Sequence, residues 1–359
     1  MFDTEHRNAS YLPDMAKVTH PTIEEFATEY ADSDTPEYVA DILKVLPNKL
    51  RQPIQYTFAK HVTKERPLEV LYAGKELGAS TEKALGLAAC IDVLWNVGII
   101  IDDVYDKDET NARLEPSAWS KFGKATALTA STAAVAATVT YAAKNYGPKQ
   151  AFNLSRDLQQ GVASLTQSRK LSLESPLDDY FNNYDMRSAF YTKFPIGALQ
   201  KYTEVDPVQI SGVQLSLARM NRAGQMINDL QDFDESIDRS RTDSFSDIRN
   251  GVSSIPIRHI WHSVDQKTQE RFATLHGKED LTDSDIHFIR GLTDQTELGP
   301  AMLSKIHSEY GAARDHYIDT LSPSKETVEW LDKWLEYKQD QANNVALSLG
   351  NSALLASNK

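Results

Sequence analysis

The stretch that decides the fold is LGLAACIDVLWNVGIIIDDVYD, residues 85–106. From Leu85 to Tyr105 apolar residues recur at three- and four-residue spacing, the period of a helix and not of a strand. The stretch ends in the carboxylates Asp102, Asp103 and Asp106. On a helix Asp102 and Asp106 lie one turn apart on the same side, with Asp103 about 100° around from Asp102. Like charges at this spacing repel, so helix stability does not ask for them. They follow Ile99-Ile100-Ile101, which belongs in a core, and are therefore expected at the rim of an apolar cavity. Hard oxygen ligands there suit Mg²⁺, which binds one or two carboxylates together with substrate phosphates and waters. The same residues also fit an exposed acidic helix end, continued by Asp108 and Glu109.

The pattern returns far downstream in QMINDLQDFD, residues 225–234. Asn228 and Asp232 are again four apart, with Asp229 between them, and Met226, Ile227, Leu230 and Phe233 mark a buried side. Facing helices of a bundle can bring two such motifs together across one cavity. Two facing carboxylate sets repel unless cations lie between them, which favours the metal reading over the solvated one.

Helical spacing also runs through Tyr38 to Leu46, Ala125 to Tyr146 and Leu215 to Phe233. No run of alternating β-branched residues appears, and Asn250-Gly251 lies in a Ser/Asp/Arg-rich loop, not between strands. Breaks fall at Pro47, Pro67, Pro116, Gly147-Pro148, Pro176, Pro207 and Pro256, and no repeat is evident. The expectation is an all-α chain: a flexible N-terminal arm over residues 1–35, then one helical domain over 36–359.

Hydrophobic residues make up 41% of the 359-residue chain, enough for a sizeable core. The net charge of −13 argues against nucleic acid, which needs a basic face, but not against an anionic ligand escorted by metal. Cys90 is the single cysteine, so an intrachain disulfide is excluded and a reducing compartment is expected. It reads as a small buried hydrophobe. Met1 to His20 is polar, with no apolar signal region, and the longest greasy run, Val93 to Ile101, is about half a membrane span. A cytoplasmic location is expected, without a transmembrane segment.

At these residues the chain resembles the trans-prenyltransferases (trans-isoprenyl diphosphate synthases), most closely eukaryotic geranylgeranyl diphosphate synthases, from about Tyr38 to Lys338. Residues 94–103, LWNVGIIIDD, resemble the segment entering that family's first motif. Residues 225–229, QMIND, resemble its second, with the preceding glutamine Gln225. Residues 247–256, DIRNGVSSIP, resemble the loop that follows, and LPNKLR, residues 46–51, the N-terminal basic motif. The resemblance implies an isoprenoid synthase-type helical bundle around a deep central pocket. It implies three Mg²⁺ ions held by Asp102, Asp103, Asp106, Asn228, Asp229 and Asp232 against the diphosphate of an allylic substrate, and a homodimer. Arg113, Arg187 and Lys193 would complete the diphosphate clamp, although Arg187 and Lys193 also read as solvated surface charges. Val97 and Gly98, small and about one turn before Asp102, permit a deep pocket and a long prenyl chain.

The departures concern the acceptor. The family binds isopentenyl diphosphate with a basic N-terminal pair, a histidine or glutamine on the first motif's helix, and an arginine pair after it. Here Lys49 and Arg51 remain, the histidine position is Trp95, and the arginine pair is reduced to Arg113. Tryptophan neither accepts a hydrogen bond nor carries charge. Asn228 replaces an aspartate, Arg187 a lysine, and Val252 the loop lysine. The Asn-Asp-x-x-Asp motif is similar to that of the prenyltransferases of fungal indole-diterpene pathways. That implies geranylgeranyl diphosphate as donor and indole-3-glycerol phosphate as small-molecule acceptor, with Trp95 stacking on the indole and Lys49, Arg51 and Arg113 holding the phosphate. Trp95 fits a core aromatic equally well. A terpene cyclase of the same fold, with Ser236 standing where its motif wants a carboxylate, and an ordinary geranylgeranyl diphosphate synthase are the other enzymatic readings. A regulatory subunit without turnover is opposed by the intact aspartates.

Overall fold

The structure, a computed structural model, describes residues 37–60, 65–106, 109–110, 115–168, 170–234 and 245–356. The N-terminal arm expected over 1–35 lies outside them. The helices are α1 (Glu37–Leu43), α2 (Asn48–Lys60), α3 (Glu65–Glu76), α4 (Thr81–Asp106), α5 (Ala118–Phe122), α6 (Lys124–Tyr146), α7 (Pro148–Ser168) and α8 (Leu177–Thr192). They continue as α9 (Phe194–Leu199), α10 (Pro207–Gln231), α11 (Ser246–Asn250), α12 (Ile255–Ser263), α13 (Gln266–Ala273), α14 (Asp283–Gln295), α15 (Leu298–Leu321) and α16 (Lys325–Ala356). Among the described residues there is no strand, only an isolated bridge between Thr110 and Pro116. The all-α expectation holds.

Proline sets the helix starts, because its missing N–H falls where helical donors have no partner anyway. Pro148 and Pro207 open α7 and α10, Pro256 stands in the first turn of α12, and Pro47 and Pro176 directly precede α2 and α8. Pro67 is not a break but sits in the first turn of α3.

The chain divides into two compact units. One holds the residues up to Asp157, Phe190–Gln214 and Thr320–Lys333; the other holds Leu158–Ala189, Leu215–Asp319 and the chain from Trp334 onward.

In the first unit α4 packs against α3 and α6. The inner face of α6 is made of small residues at helical spacing, Ala127, Ala130, Ala134, Ala137 and Ala142, with Ser131 and Thr138 bonding back to carbonyls four residues earlier. Only that face is buried. Gly86 on α4 is where Tyr146 of α6 comes closest: its hydroxyl donates to the Lys83 carbonyl (2.9 Å) and fills the place of a Cβ. Cys90 is fully buried and burial pushes its thiol up, as a small core residue requires. By length and composition α4 is able to cross a membrane from Thr81 to Tyr105, more than the short greasy run the sequence suggested, but most of that stretch is buried in the protein. It also carries the buried Asp92, whose carboxylate and carbonyl both accept from the Asn96 amide (3.1 and 2.9 Å).

In the second unit two expectations need correction. The helix expected over Leu215 to Phe233 starts at Pro207 and stops at Gln231, so Asp232 lies just past its end. Tight bonds from Phe233 N–H to Leu230 O (3.1 Å) and Asp234 N–H to Gln231 O (3.0 Å) close the last turn. The segment around Asn250-Gly251, expected as a loop, forms the short α11, capped by Gly251 at φ 66, a left-handed conformation that glycine adopts without strain.

Candidate active site

The second acidic motif sits in the second unit, at the end of α10. Asn228 is exposed, whereas Asp229 is buried. One carboxylate oxygen of Asp229 accepts from the Tyr184 hydroxyl of α8, and the other accepts from the Gln225 amide one turn earlier (2.9 Å). The N–H of Ile255, first residue of α12, also points at Asp229. Asp232 accepts from the backbone N–H groups of Ser246 (2.7 Å) and Asp247 (3.1 Å) at the start of α11. That contact brings in a third carboxylate, Asp247, which sequence reasoning did not single out although it lies in a segment the resemblance covers.

Burial pushes all three acids up, and at Asp232 and Asp247 the charge of neighbouring carboxylates adds to it. Asp229 is raised, Asp232 is pushed up to about 6, and Asp247 is raised well above the usual carboxylate range by burial and by Asp232 and Asp229. Arg187 of α8 acts against these shifts at Asp229 and Asp247, and its Nε is buried without a hydrogen-bond partner. Tyr184 is itself pushed well up by burial and by Asp229, so it stays protonated as a donor. Asp185 and Arg222 tie α8 to α10 beside the cluster. Arg187 is half-buried on the same helix.

In the first unit Asp102 is exposed and Asp103 half-buried at the end of α4, whose middle is fully buried. The helix includes Asp106, whose side chain lies outside the described residues, as does Arg113. Val97 is buried, and a Cβ built on Gly98 meets no atom within 4 Å, so space is open there. Trp95 packs edge-on against Tyr191, centroids 5.4 Å apart, and the Arg66 guanidinium lies over both rings at 5.3 and 4.9 Å. Arg66 is held in turn by Glu69 at 2.7 Å. No sequence pattern pointed to Arg66, because its role depends on the contact between α3 and α4. Lys49 is exposed, while Arg51, two residues on and so on another side of α2, has a buried and unpartnered Nε. Lys193 is exposed, and its charge acts on Asp157.

Among the described residues no group of three or more His, Cys, Asp or Glu side chains is placed to hold a metal ion by itself. Mg²⁺ does not need such a cage, since it keeps waters and is held through one or two carboxylates and the substrate's phosphates. Buried, crowded carboxyls near an unsatisfied guanidinium nitrogen fit a cation-escorted polyanion.

An all-α chain with acids and an arginine placed this way belongs among enzymes that handle isoprenoid diphosphates. The chain is a member of the polyprenyl synthetase family, whose model matches residues 47–291. It is accordingly a prenyltransferase that releases diphosphate. It has the all-α isoprenoid synthase fold. Among solved structures it is similar to the polyprenyl synthase from Caulobacter crescentus, solved with calcium and isoprenyl diphosphate: TM-score 0.74, 16% identity, 88% of this chain and 95% of that one. The decaprenyl diphosphate synthase from Rhodobacter capsulatus gives TM-score 0.74 at 17% identity, over 89% and 99%. The geranylgeranyl pyrophosphate synthase from Lactobacillus brevis gives 0.72 at 19%, over 88% and 97%. At these identities the likeness is one of fold. No curated protein matches the sequence.

Proposed function

We propose that the chain ionises an allylic isoprenoid diphosphate, geranylgeranyl diphosphate by its resemblance, and transfers the prenyl group to a non-standard acceptor such as indole-3-glycerol phosphate. The observation that carries this is the unmet Nε of Arg187 beside Asp229, Asp232 and Asp247, a combination that suits a diphosphate bound with divalent cations. Asp102, Asp103, Asp106, Asn228, Asp229 and Asp232 would hold Mg²⁺, three ions by the resemblance. Bound Mg²⁺ supplies Lewis-acid stabilisation of the charge that develops on the departing diphosphate. Gln225 and Tyr184 orient Asp229, and Arg187 donates to the leaving group. The allylic cation requires an apolar surrounding that excludes water, which would otherwise quench it. The acceptor reading draws on Arg51, a half-buried arginine whose buried Nε is an unmet donor that a substrate bearing its own phosphate would satisfy.

The cyclase alternative draws on Trp95. Its ring is already engaged by Tyr191 and Arg66, which suits a cavity wall more than a free stacking platform. The elongating synthase draws on the names of the structural neighbours.

One experiment separates them. Purified protein receives geranylgeranyl diphosphate and Mg²⁺ alone, with isopentenyl diphosphate, or with indole-3-glycerol phosphate. A prenylated indole in the third tube only is expected. A hydrocarbon or alcohol from the first supports cyclisation, and a longer diphosphate from the second supports elongation. Inertness in all three, with shorter allylic substrates also unreacted, sinks the proposal. Asp102→Ala is expected to lower the rate by at least about 10²-fold; an unchanged rate removes Asp102 from the metal site.

A further inference from the structure

We propose that Glu69 determines acceptor specificity: paired with Arg66 beside Trp95 and Tyr191, it occupies the cation that an acceptor's diphosphate would need and leaves this part of the site to an uncharged group. This rests on the proposed function, which puts the allylic diphosphate at Asp102, and names the class of group bound next to it.

All five residues belong to the first unit. The Arg66 guanidinium of α3 lies 5.3 Å from the Trp95 ring centroid and 4.9 Å from that of Tyr191. Its Nη1 donates to Glu69 Oε1 at 2.7 Å, and the two side chains are only 10% and 2% exposed. Arg66 and Glu69 are three residues apart, so the pair forms on one face of one helix. An arginine keeps its charge on burial, and here a carboxylate of the protein itself matches that charge. A phosphate taking the same donor would have to strip a buried carboxylate of its guanidinium, or bind against its negative charge. It would also draw the guanidinium away from two rings that attract it.

Helix α4 ties this group to the site. Leu94, Asn96 and Val97 are buried, while Trp95 and Gly98 are half-buried and Asp102 is exposed. Trp95, Gly98 and Asp102 thus follow one another along the open side of the helix, at three- and four-residue spacing. Trp95 stands seven residues, about 10 Å, before Asp102. A Cβ built on Gly98 meets no atom within 4 Å, so the surface between them is clear. An acceptor that presents a carbon to the allylic centre near Asp102 extends along this side towards Trp95. A ring or hydrocarbon fits there. A second diphosphate meets a guanidinium already in use and the carboxylate that uses it.

The test is calorimetric titration of isopentenyl diphosphate into wild type, Glu69→Gln, and Glu69→Gln combined with Arg66→Met. Mg²⁺ is left out, so that the acidic motifs repel the ligand and do not hold it. Glu69→Gln keeps the shape of the side chain but removes its charge, and is expected to bind at least about tenfold more tightly than wild type. Adding Arg66→Met is expected to abolish that gain, which a merely structural pair would not produce. Equal affinity in wild type and Glu69→Gln overturns the inference, and so does a gain that survives Arg66→Met. If Glu69→Gln does not fold, Trp95→Ala uncovers the guanidinium and is expected to bind several-fold more tightly; wild-type affinity there overturns the inference in the same way. These outcomes leave the proposed function to its own test, the prenylated indole. A wild-type protein that elongates geranylgeranyl diphosphate with isopentenyl diphosphate overturns both.

Discussion

Asp185 on α8 and Arg222 on α10 are joined by a two-point fork, Nε to Oδ1 at 2.8 Å and Nη2 to Oδ2 at 2.6 Å. Arg222 also lies 4.9 Å from the Phe181 ring centroid, and it stands seven residues, two turns, before Asp229. The fork fixes how α8 faces α10, and so where Tyr184 and Arg187 meet Asp229. Arg222→Met keeps the apolar stem but removes the fork. It is expected to cost about 1–3 kcal/mol of stability, read as a lower melting temperature, because the pair is only partly buried. Pyrophosphate affinity should fall with it. A variant that melts and binds as wild type would show that the two helices hold their register without this pair.

Burial raises Asp229, and Tyr184 is the first of the groups that act against it. Its hydroxyl bond favours the carboxylate, against a burial that favours the neutral acid. Removing the donor with Tyr184→Phe is expected to raise Asp229 further. If Asp229 must be ionised to hold metal, the acid limb of the activity profile moves to higher pH and more Mg²⁺ is needed at pH 7. An acid limb that stays in place would separate Asp229 from the titration that controls activity.

Much of this was legible in the chain, and the part that was not has a physical reason. The periodicity of α4 and α6 gave the helical class because a helix buries one face and its sequence shows the period. The first motif could be placed at a helix end because Ile99-Ile100-Ile101 runs directly into Asp102. The second motif looked equally regular, yet α10 stops at Gln231 and Asp232 takes its partners from α11. Four-residue spacing cannot reveal that, because the helix end is closed by backbone bonds and not by a glycine or proline. Asp247 and Tyr184 were invisible as site residues because each is defined by contact with another element. Trp95 stood out as a departure, but its engagement by Arg66 follows from the packing of α3 on α4.

The crowded acids predict an unusual stability profile without metal. Asp232 is raised from 3.8 to about 6, first by burial and then by Asp229. A carboxyl whose folded value lies above its unfolded one binds protons more tightly when folded. Its stabilising contribution is therefore complete below the unfolded value and is lost as pH rises through the folded one, here between about 4 and 6. The shift corresponds to on the order of 2–3 kcal/mol. The melting temperature of metal-free protein should fall as pH is raised across that window, and Asp232→Asn should flatten the fall. Mg²⁺ with pyrophosphate should restore stability on the alkaline side. A metal-free melting temperature that holds steady or climbs from pH 4 to 6, in wild type and variant alike, contradicts this account.

Gly98 poses the last test, because it stands inside α4 where glycine is a poor choice. A helix-interior glycine costs about 0.5–1 kcal/mol relative to alanine. At Gly86 the reason is visible, since Tyr146 occupies the place of a Cβ; at Gly98 a Cβ meets nothing within 4 Å. Gly98→Ala should therefore raise the melting temperature. If the open space receives the prenyl chain, a larger side chain competes with the far end of the substrate and not with its diphosphate. Gly98→Phe is then expected to lower kcat/KM for geranylgeranyl diphosphate at least about tenfold while sparing geranyl diphosphate, since each displaced methylene forfeits about 0.8 kcal/mol of burial. Steady-state rates with the two donors decide it. An equal loss with both places the bulk at the reacting end, and no loss with either means that the space beside Gly98 is not where the chain lies.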